Sequence, residues 1–404
     1  MTESSFENND PQSLFVKAHE LHDSGKYDEA KAIFAFLVKH HPDLWQLQFS
    51  LAQVLFDIGD AQQAENHFIT ASKLNSSSGD IFYNLAICQK SLGKVELAIE
   101  SYLKALTLDA TDLDSRYNLA ACYAHLDNLD AAIDQYQELL EIEENHQSAL
   151  NNLAYLYQKG GFEEKALTTY QKLLALDPQH ISAKHMVSAL QGERVTHTPE
   201  SYVQELFDSY AIDYEQSLVD KLSYNLPRLM YEFYLQNSSH RSFTKTIDLG
   251  CGTGLSGITF REVSKTMIGV DLSERMIEQA ERKNVYDLLI ISDILSSLSD
   301  QRLYNSELIL ALDVFGYIGD LEKIFSESHR ISKPNALFYF SIEKLDSEED
   351  FLLKKNGRFS HSYHYIENQS RSCGWVINHS QKIDLRKERD HWVKGLIFEL
   401  SKAP

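Results

Sequence analysis

Between residues 11 and 178 the apolar positions recur every 34 residues. Alanine stands at Ala18, Ala52, Ala86, Ala120 and Ala154, and again at Ala30, Ala64, Ala98, Ala132 and Ala166. Four residues after each member of the second series comes an aromatic: Phe34, Phe68, Tyr102, Tyr136 and Tyr170. Between the two alanine series lie Gly25, Gly59, Gly93, Asp127 and Gly161. A fixed period of this length predicts a solenoid of helix–turn–helix units. Alanine where two helices cross lets their backbones approach, the aromatic fills the gap between neighbouring units, and Gly or Asp makes the turn. Five units over 11–178 follow, with "ISAKHMVSALQG" (181–192) as a closing helix whose outer face is more polar.

The pattern resembles tetratricopeptide repeats. Pro42 and Pro178 keep the proline that closes a repeat in that family, whereas Ser76, Ala110 and Glu144 depart from it. Asn84, Asn118 and Asn152 occupy one equivalent place, each inside an Asn-Leu-Ala triplet. By the resemblance that place faces the concave groove, where three amides can bind an extended peptide backbone; the same amides can instead satisfy neighbouring helices. Cys88 and Cys122, also one period apart, are read as small buried packing residues.

The pattern breaks at "QGERVTHTPE" (191–200), with Thr198 as an expected helix N-cap and Pro199 at the first helical position. An aromatic-rich helical stretch follows, with Tyr202, Leu206, Phe207 and Tyr210 at helical spacing. From 243 onward strands and helices alternate. "TKTIDLG", "TMIGVDL", "YDLLIISDIL", "SELILALDVF" and "ALFYFSIE" read as strands, and "SCGWVINHSQKIDL" and "HWVKGLIFELSK" as two closing ones. The fold class expected is an all-α solenoid followed by an α/β doubly wound sheet of Rossmann-like type. The expected boundaries are a polar tail (1–10), the solenoid with its closing helix (11–192), a linker and helical cap (193–242), and the α/β domain (243–404).

Composition narrows the function. The 404-residue chain is 43% hydrophobic and 24% charged, with no long apolar run and a polar, acidic start. A membrane span, a secretory signal and a membrane partner are not expected, and the chain is placed in the cytoplasm. Its net charge is −21; residues 1–195 carry 14 basic and 28 acidic side chains. That is no footprint for nucleic acid, and it favours proteins, basic peptides or small molecules as partners. Four cysteines without paired spacing suggest a reducing compartment and no structural zinc.

The chemistry concentrates at "TIDLGCGTGLSG" (246–257), where a buried strand meets a loop nearly bare of side chains. Gly252-x-Gly254-x-x-Gly257 has a nicotinamide-type spacing, so the loop alone leaves a dinucleotide and other ligands open. Asp248, Asp271, Asp293, Asp313 and Glu343 each fall near the end of a predicted strand, where such sheets bind ligands. Five acids suit hydroxyls, amines and a sulfonium better than a pyrophosphate.

"IDLGCGTG" followed by "IGVDLSERMIEQA" resembles class I methyltransferases that use S-adenosylmethionine (SAM). The resemblance implies that Gly250, Cys251, Gly252 and Gly254 let the methionine part lie against backbone. Asp248 then holds the loop or the amino group, Asp271 takes the ribose hydroxyls, and Leu272 and Met276 pack on adenine. Asp293, with Ile294, resembles the acid that accepts the adenine amine, and Gly257 becomes a packing residue inside the next helix. "YVQELFDSYAIDYEQSLVDKLSYNLP", "ALDVFGYIGDLEKIF" and "GRFSHSYHYI" resemble a bacterial subgroup whose leading helices cap the cofactor, which puts Phe207 and Tyr210 over it. Asn335-Ala336 stands where Gly-Gly makes a turn; Asn tolerates the left-handed conformation there.

Asp313, Tyr317, Glu343 and the segment 358–365 are expected around one mouth as candidates for contacting the acceptor, with His361, Glu343 and Asp313 as the catalytic candidates. Arg358, His361 and Tyr365 match the subgroup, and His361 is the expected base or acceptor-orienting residue, against the plainer reading of a satisfied structural histidine. Lys354, Lys355 and Arg358 form a basic cluster that either receives an acidic acceptor or is solvated. No metal-ligand cluster is found. Two functions remain: a methyltransferase whose repeats recruit a protein or peptide, its acceptor a small molecule or protein, or an inert adaptor with a SAM-sensing domain.

Overall fold

The computed structural model describes residues 9–210, 223–238, 241–388 and 391–403, the side chains of 209 and 210 excepted. The chain divides into two compact units, Met1–Pro178 and Gln179–Pro404. No helix among the described residues is long and apolar enough to cross a membrane.

Among the described residues the first unit has ten helices, from α1 (Pro11–Asp23) to α10 (Glu163–Leu176), joined as helical pairs. All ten alanines of the two series are fully buried, and so are the five aromatics to within 2%. The turn residues adopt the left-handed conformation, with φ of 61° at Asp127 and 87° at Gly59. This is why glycine holds four of the five places and an aspartate the other, since L side chains with a Cβ disfavour that region. Side-chain caps start several helices, Asp60 accepting from the amide of Gln63 at 3.2 Å and Asp112 from that of Ser115 at 3.1 Å.

The second unit opens with α11 (Ile181–Gln191) and α12 (Glu200–Tyr210). The helix expected to close the repeats thus belongs to this unit. Its His185 is buried, the ring nitrogen Nε2 bonding the Gly357 carbonyl at 2.9 Å. The stretch expected as a linker is also structural: the Thr196 carbonyl accepts from the amides of Gly319 and Asp320, both at 2.9 Å, and the Thr198 amide donates to the Tyr317 carbonyl at 3.1 Å. The Thr198 hydroxyl is enclosed without a partner, so the expected N-cap bond is not made.

Among the described residues seven strands form one sheet: β1 (Phe243–Leu249), β2 (Ser264–Asp271), β3 (Leu288–Ile291), β4 (Ser306–Ala311), β5 (Ser332–Glu343), β8 (Trp375–Glu388) and β9 (His391–Lys402). Their order is β3-β2-β1-β4-β5-β9-β8, parallel through β5 and antiparallel beyond it. Phe233, Tyr234 and Phe260 cover one face, while Ile324, Phe325 and Ile366 cover the other. Burial on both faces explains the continuous apolar runs of β4 and β5. Asn335 has φ of 62°, the conformation expected where Gly-Gly is replaced. Not anticipated from the sequence was a small antiparallel pair, β6 (Phe351–Leu353) with β7 (Phe359–His361), and the helix Tyr363–Ser372 after it.

Candidate functional site

Strand order reverses between β1 and β4, and at their carboxyl ends the second unit encloses a cavity of about 530 Å³. That is a size typical of small-molecule sites. Gly250, Cys251, Gly252, Asp271, Asp293 and Asp313 line it, joined by Leu272, Ile294 and Phe207.

The glycine loop is shaped from both sides. Gly250 has φ of 68°, and a Cβ there would stand 2.4 Å from Val314. Gly252 also has positive φ, but a Cβ on it would meet nothing within 4 Å. Its amide donates to Asp271 Oδ2 at 2.8 Å, while Asp271 Oδ1 accepts from the amide of Ser273 at 2.9 Å. Burial raises the Asp271 carboxyl above its ordinary range, and these amide bonds work against the rise. Burial likewise pushes the Cys251 thiol well up, reinforced by Asp271 and Asp248, so it is no thiolate nucleophile.

Three residues expected at the cofactor stand off the cavity wall. Asp248 is fully buried; its Oδ2 accepts from Ser256 Oγ at 2.5 Å and Tyr286 OH at 2.7 Å, which ties the loop to its following helix. Gly254 has φ of 94° and starts the helix Leu255–Phe260. Met276 is buried behind, its amide donating to Ser273 Oγ at 3.1 Å. Gly257 lies inside that short helix, where an added Cβ would be 2.5 Å from the Tyr286 ring. Tyr210 lies outside the described side chains.

The catalytic expectations change. His361 is off the wall and fully buried, its Nε2–H donating to the Gly319 carbonyl at 2.9 Å and its ring stacked on Tyr365. Burial lowers its pKa to about 4. Glu343 is also buried and off the wall. It accepts from Arg358 Nε at 2.6 Å, Arg386 Nη2 at 2.6 Å and Lys354 Nζ at 3.0 Å. Burial opposes its charge, but the three cations outweigh burial and hold the carboxyl below the usual range. A carboxylate so held does not take up protons near neutral pH. Asp313 does reach the cavity, from a backbone with φ of 58°, yet its Oδ1 accepts from Arg358 at 2.6 Å and Arg386 at 3.2 Å. The basic cluster divides: Arg358 is turned inward and pairs with Asp313 and Glu343, where Arg386 joins it and also pairs with Glu388, whereas Lys354 pairs with Glu343 from a half-exposed position and Lys355 is exposed. Arg358 also covers the ring of Tyr317, which lines the cavity and meets Phe207 edge-on at 5.3 Å.

Sequence reasoning missed Arg386, Tyr286 and the wall formed by Thr196–Glu200. A charged Arg386 in an otherwise ordinary hairpin strand carried no signal, and neither did Tyr286 in a turn.

In the first unit, Asn84 and Asn118 each donate one amide N–H to a carbonyl of their own helix, Asp80 at 2.8 Å and Asp114 at 3.0 Å. Asn152 differs: its amide nitrogen bonds the hydroxyls of Tyr117 and Tyr136, at 3.0 and 2.9 Å. Among the described residues no cluster of His, Cys, Asp or Glu could hold a metal ion.

A family described as a methyltransferase domain matches residues 247–340, and tetratricopeptide-repeat families match 15–65, 49–113, 101–134 and 147–180. The chain is 27% identical over 99 residues to the biotin biosynthesis bifunctional protein BioHC of Saccharophagus degradans, covering 24% of this chain and 18% of that protein. It is 25% identical over 148 residues to the malonyl-[acyl-carrier protein] O-methyltransferase of Hamiltonella defensa, covering 36% of this chain and 53% of the relative. The chain thus spans about half or less of the length of these relatives. Among solved structures it is similar to YrrB, a repeat protein with an unusual peptide-binding site, at 23% identity and a TM-score of 0.41 over 45% of this chain and 95% of that one. MamA matches at 20% identity and a TM-score of 0.40, over 42% of this chain and 92% of its own. The chain joins tetratricopeptide repeats in its N-terminal part to a methyltransferase domain in its C-terminal part.

Proposed function

We propose that the second unit is a SAM-dependent methyltransferase and that the repeats bind a protein or peptide partner. The observation that carries the first half is the loop Gly250–Gly254 against Asp271. Gly252 leaves open space where any other residue would put a side chain, and Asp271 is fixed by two amides at the edge of that space. The Thr253 hydroxyl beside it is buried with no partner among the described residues, and a buried polar group calls for one.

The donor set fits SAM. Asp271 at the end of β2 suits two ribose hydroxyls, Asp293 and Ile294 after β3 suit the adenine edge, and Leu272 offers an apolar wall. Phe207 and Tyr317 close the opposite side and keep water from the reacting centre. Bound SAM supplies an electrophilic methyl group on a sulfonium. The protein's part is to hold the acceptor atom about 3 Å from that carbon and in line with the breaking bond, which is worth ~7–11 kcal/mol. Asp313, pinned by two guanidiniums, sets the loop after β4.

Isothermal titration of the whole chain with SAM and with NAD tests this. Heat with SAM alone is expected; none with SAM removes the reading. For the repeats, the net acidity of the first unit and the equivalent amides of Asn84 and Asn118 support a groove for an extended chain. A pull-down with Asn84→Ala plus Asn118→Ala should lose the partner; retention would leave the ladder a structural feature.

A further inference from the structure

We propose that the methyl acceptor is an amine rather than a carboxylate, an inference that rests on the cavity holding SAM. The carboxylates on the cavity wall divide by strand order. Asp271 and Asp293 follow β2 and β3, on one side of β1, and are matched by the nucleoside. Asp313, Asp320 and Glu200 lie on the other side: the first two after β4, and Glu200 at the start of α12, just beyond the Thr196–Thr198 rung that pairs with 317–320. Among the described lining residues Lys323 is the only lysine or arginine.

A carboxylate acceptor needs a cation, normally an arginine fork. The two guanidiniums nearest this half of the cavity are already engaged. Arg358 bonds Asp313 and Glu343, and Arg386 bonds Asp313, Glu343 and Glu388; both side chains are at least seven-eighths buried. With Asp313 neutralised in that cluster, Glu200 and Asp320 outnumber Lys323, and the described part of the wall keeps a negative excess. An ammonium or amine is attracted there and a second anion is repelled.

Two further features point the same way. Phe207 and Tyr317 bring aromatic rings to this half, a surface that favours cationic nitrogen and its methylated products. Thr198, which is 4% exposed and lines the cavity, has a hydroxyl with no hydrogen-bond partner among the described residues. In the step itself, a bound ammonium first gives up a proton to water by way of the Glu200 carboxylate. The freed nitrogen lone pair then forms the N–CH₃ bond as the S–CH₃ bond breaks, the electron pair of that bond staying on sulfur. Glu200 is exposed at the rim, so that exchange is open.

The test uses the whole chain, methyl-labelled SAM and two acceptor panels. One holds lysine peptides and a polyamine; the other holds glutamate peptides and a malonyl thioester. Products are treated with alkali, which releases methanol from methyl esters and leaves N-methyl groups intact. Alkali-stable label on the amine panel is expected, and Glu200→Gln should raise the amine KM about fivefold or more while SAM affinity changes by less than about twofold. Alkali-labile label overturns the proposal, and so does transfer to neither panel when titration shows SAM bound. Absence of SAM binding instead removes the reading beneath it.

Discussion

His361 and Asp248 are both ionisable groups enclosed by the second unit, and burial disfavours the charged form of each. For the histidine this lowers the pKa to about 4, and for the aspartate it raises it to about 6. The consequences for stability run in opposite directions. His361 titrates near 6.5 when unfolded, so its share of stability is complete above that pH and is lost as pH falls from about 6.5 toward about 4. Asp248 contributes most below about 4 and loses its share as pH rises to about 6. His361→Gln should flatten the acid limb of a plot of melting temperature against pH, with turnover within about threefold of the parent. A large loss of turnover at unchanged stability would return His361 to the chemistry. Asp271 carries the opposite expectation. Asp271→Ala removes a charged partner of the Gly252 amide and of the ligand, and titration should show SAM affinity reduced roughly 10- to 100-fold. The two residues separate what the motif says from what a matching pattern says. Asp271 was legible because its place follows from a strand end and a glycine loop. His361 shared the family's spacing, but only the fold shows its ring turned inward onto Tyr365 and the Gly319 carbonyl.

At the scale of elements, the helices and strands followed from pattern because each pattern has a local cause. The repeat's alanines are fully buried where the helices cross, and its turn residues all have positive φ. Gly93, at φ of 72°, is a position where Gly93→Val should cost about 1–2 kcal/mol in urea unfolding, from left-handed strain alone. The short helix after the glycine loop is tuned differently. Gly257 admits the Tyr286 ring, which reaches Asp248; Gly257→Val should displace that ring and cost about 1–3 kcal/mol through overpacking. Weaker SAM binding should accompany it, whereas Gly93→Val should leave SAM binding unchanged; equal effects from both would contradict this division. The β6–β7 pair escaped the sequence because its strands are three residues each, too short for alternation to register. The rung at Thr196–Thr198 escaped because a stretch with Gly, Thr and Pro reads as linker whether or not its carbonyls find partners.

The second unit as a whole is tied together by the cluster of Arg358, Arg386, Glu343 and Asp313, which draws on β5, β8, the loop after β4 and the segment before β7. Removing one member leaves buried charge uncompensated. Arg386→Met should therefore cost about 3–5 kcal/mol in denaturant unfolding followed by circular dichroism, or abolish folding. A loss under about 1 kcal/mol would mean that the cluster is better hydrated than its burial indicates. Residue order along the chain was enough to specify the repeat, its small-residue crossings, the alternation that builds the sheet and the glycine loop at the end of β1. Each of these rests on interactions between positions close in sequence or related by a fixed period. Which carboxylates face the cavity and which are neutralised was settled only in three dimensions. Asp313 and Glu343 look alike as acids at strand ends, and Arg386 lies 43 residues beyond Glu343. Whether an acid there meets water, a ligand or a guanidinium depends on long-range neighbours that no local pattern records. That difference makes Glu343, expected at the mouth of the site, a buried counter-ion, and it directs attention for the acceptor to Glu200, Thr198 and Tyr317.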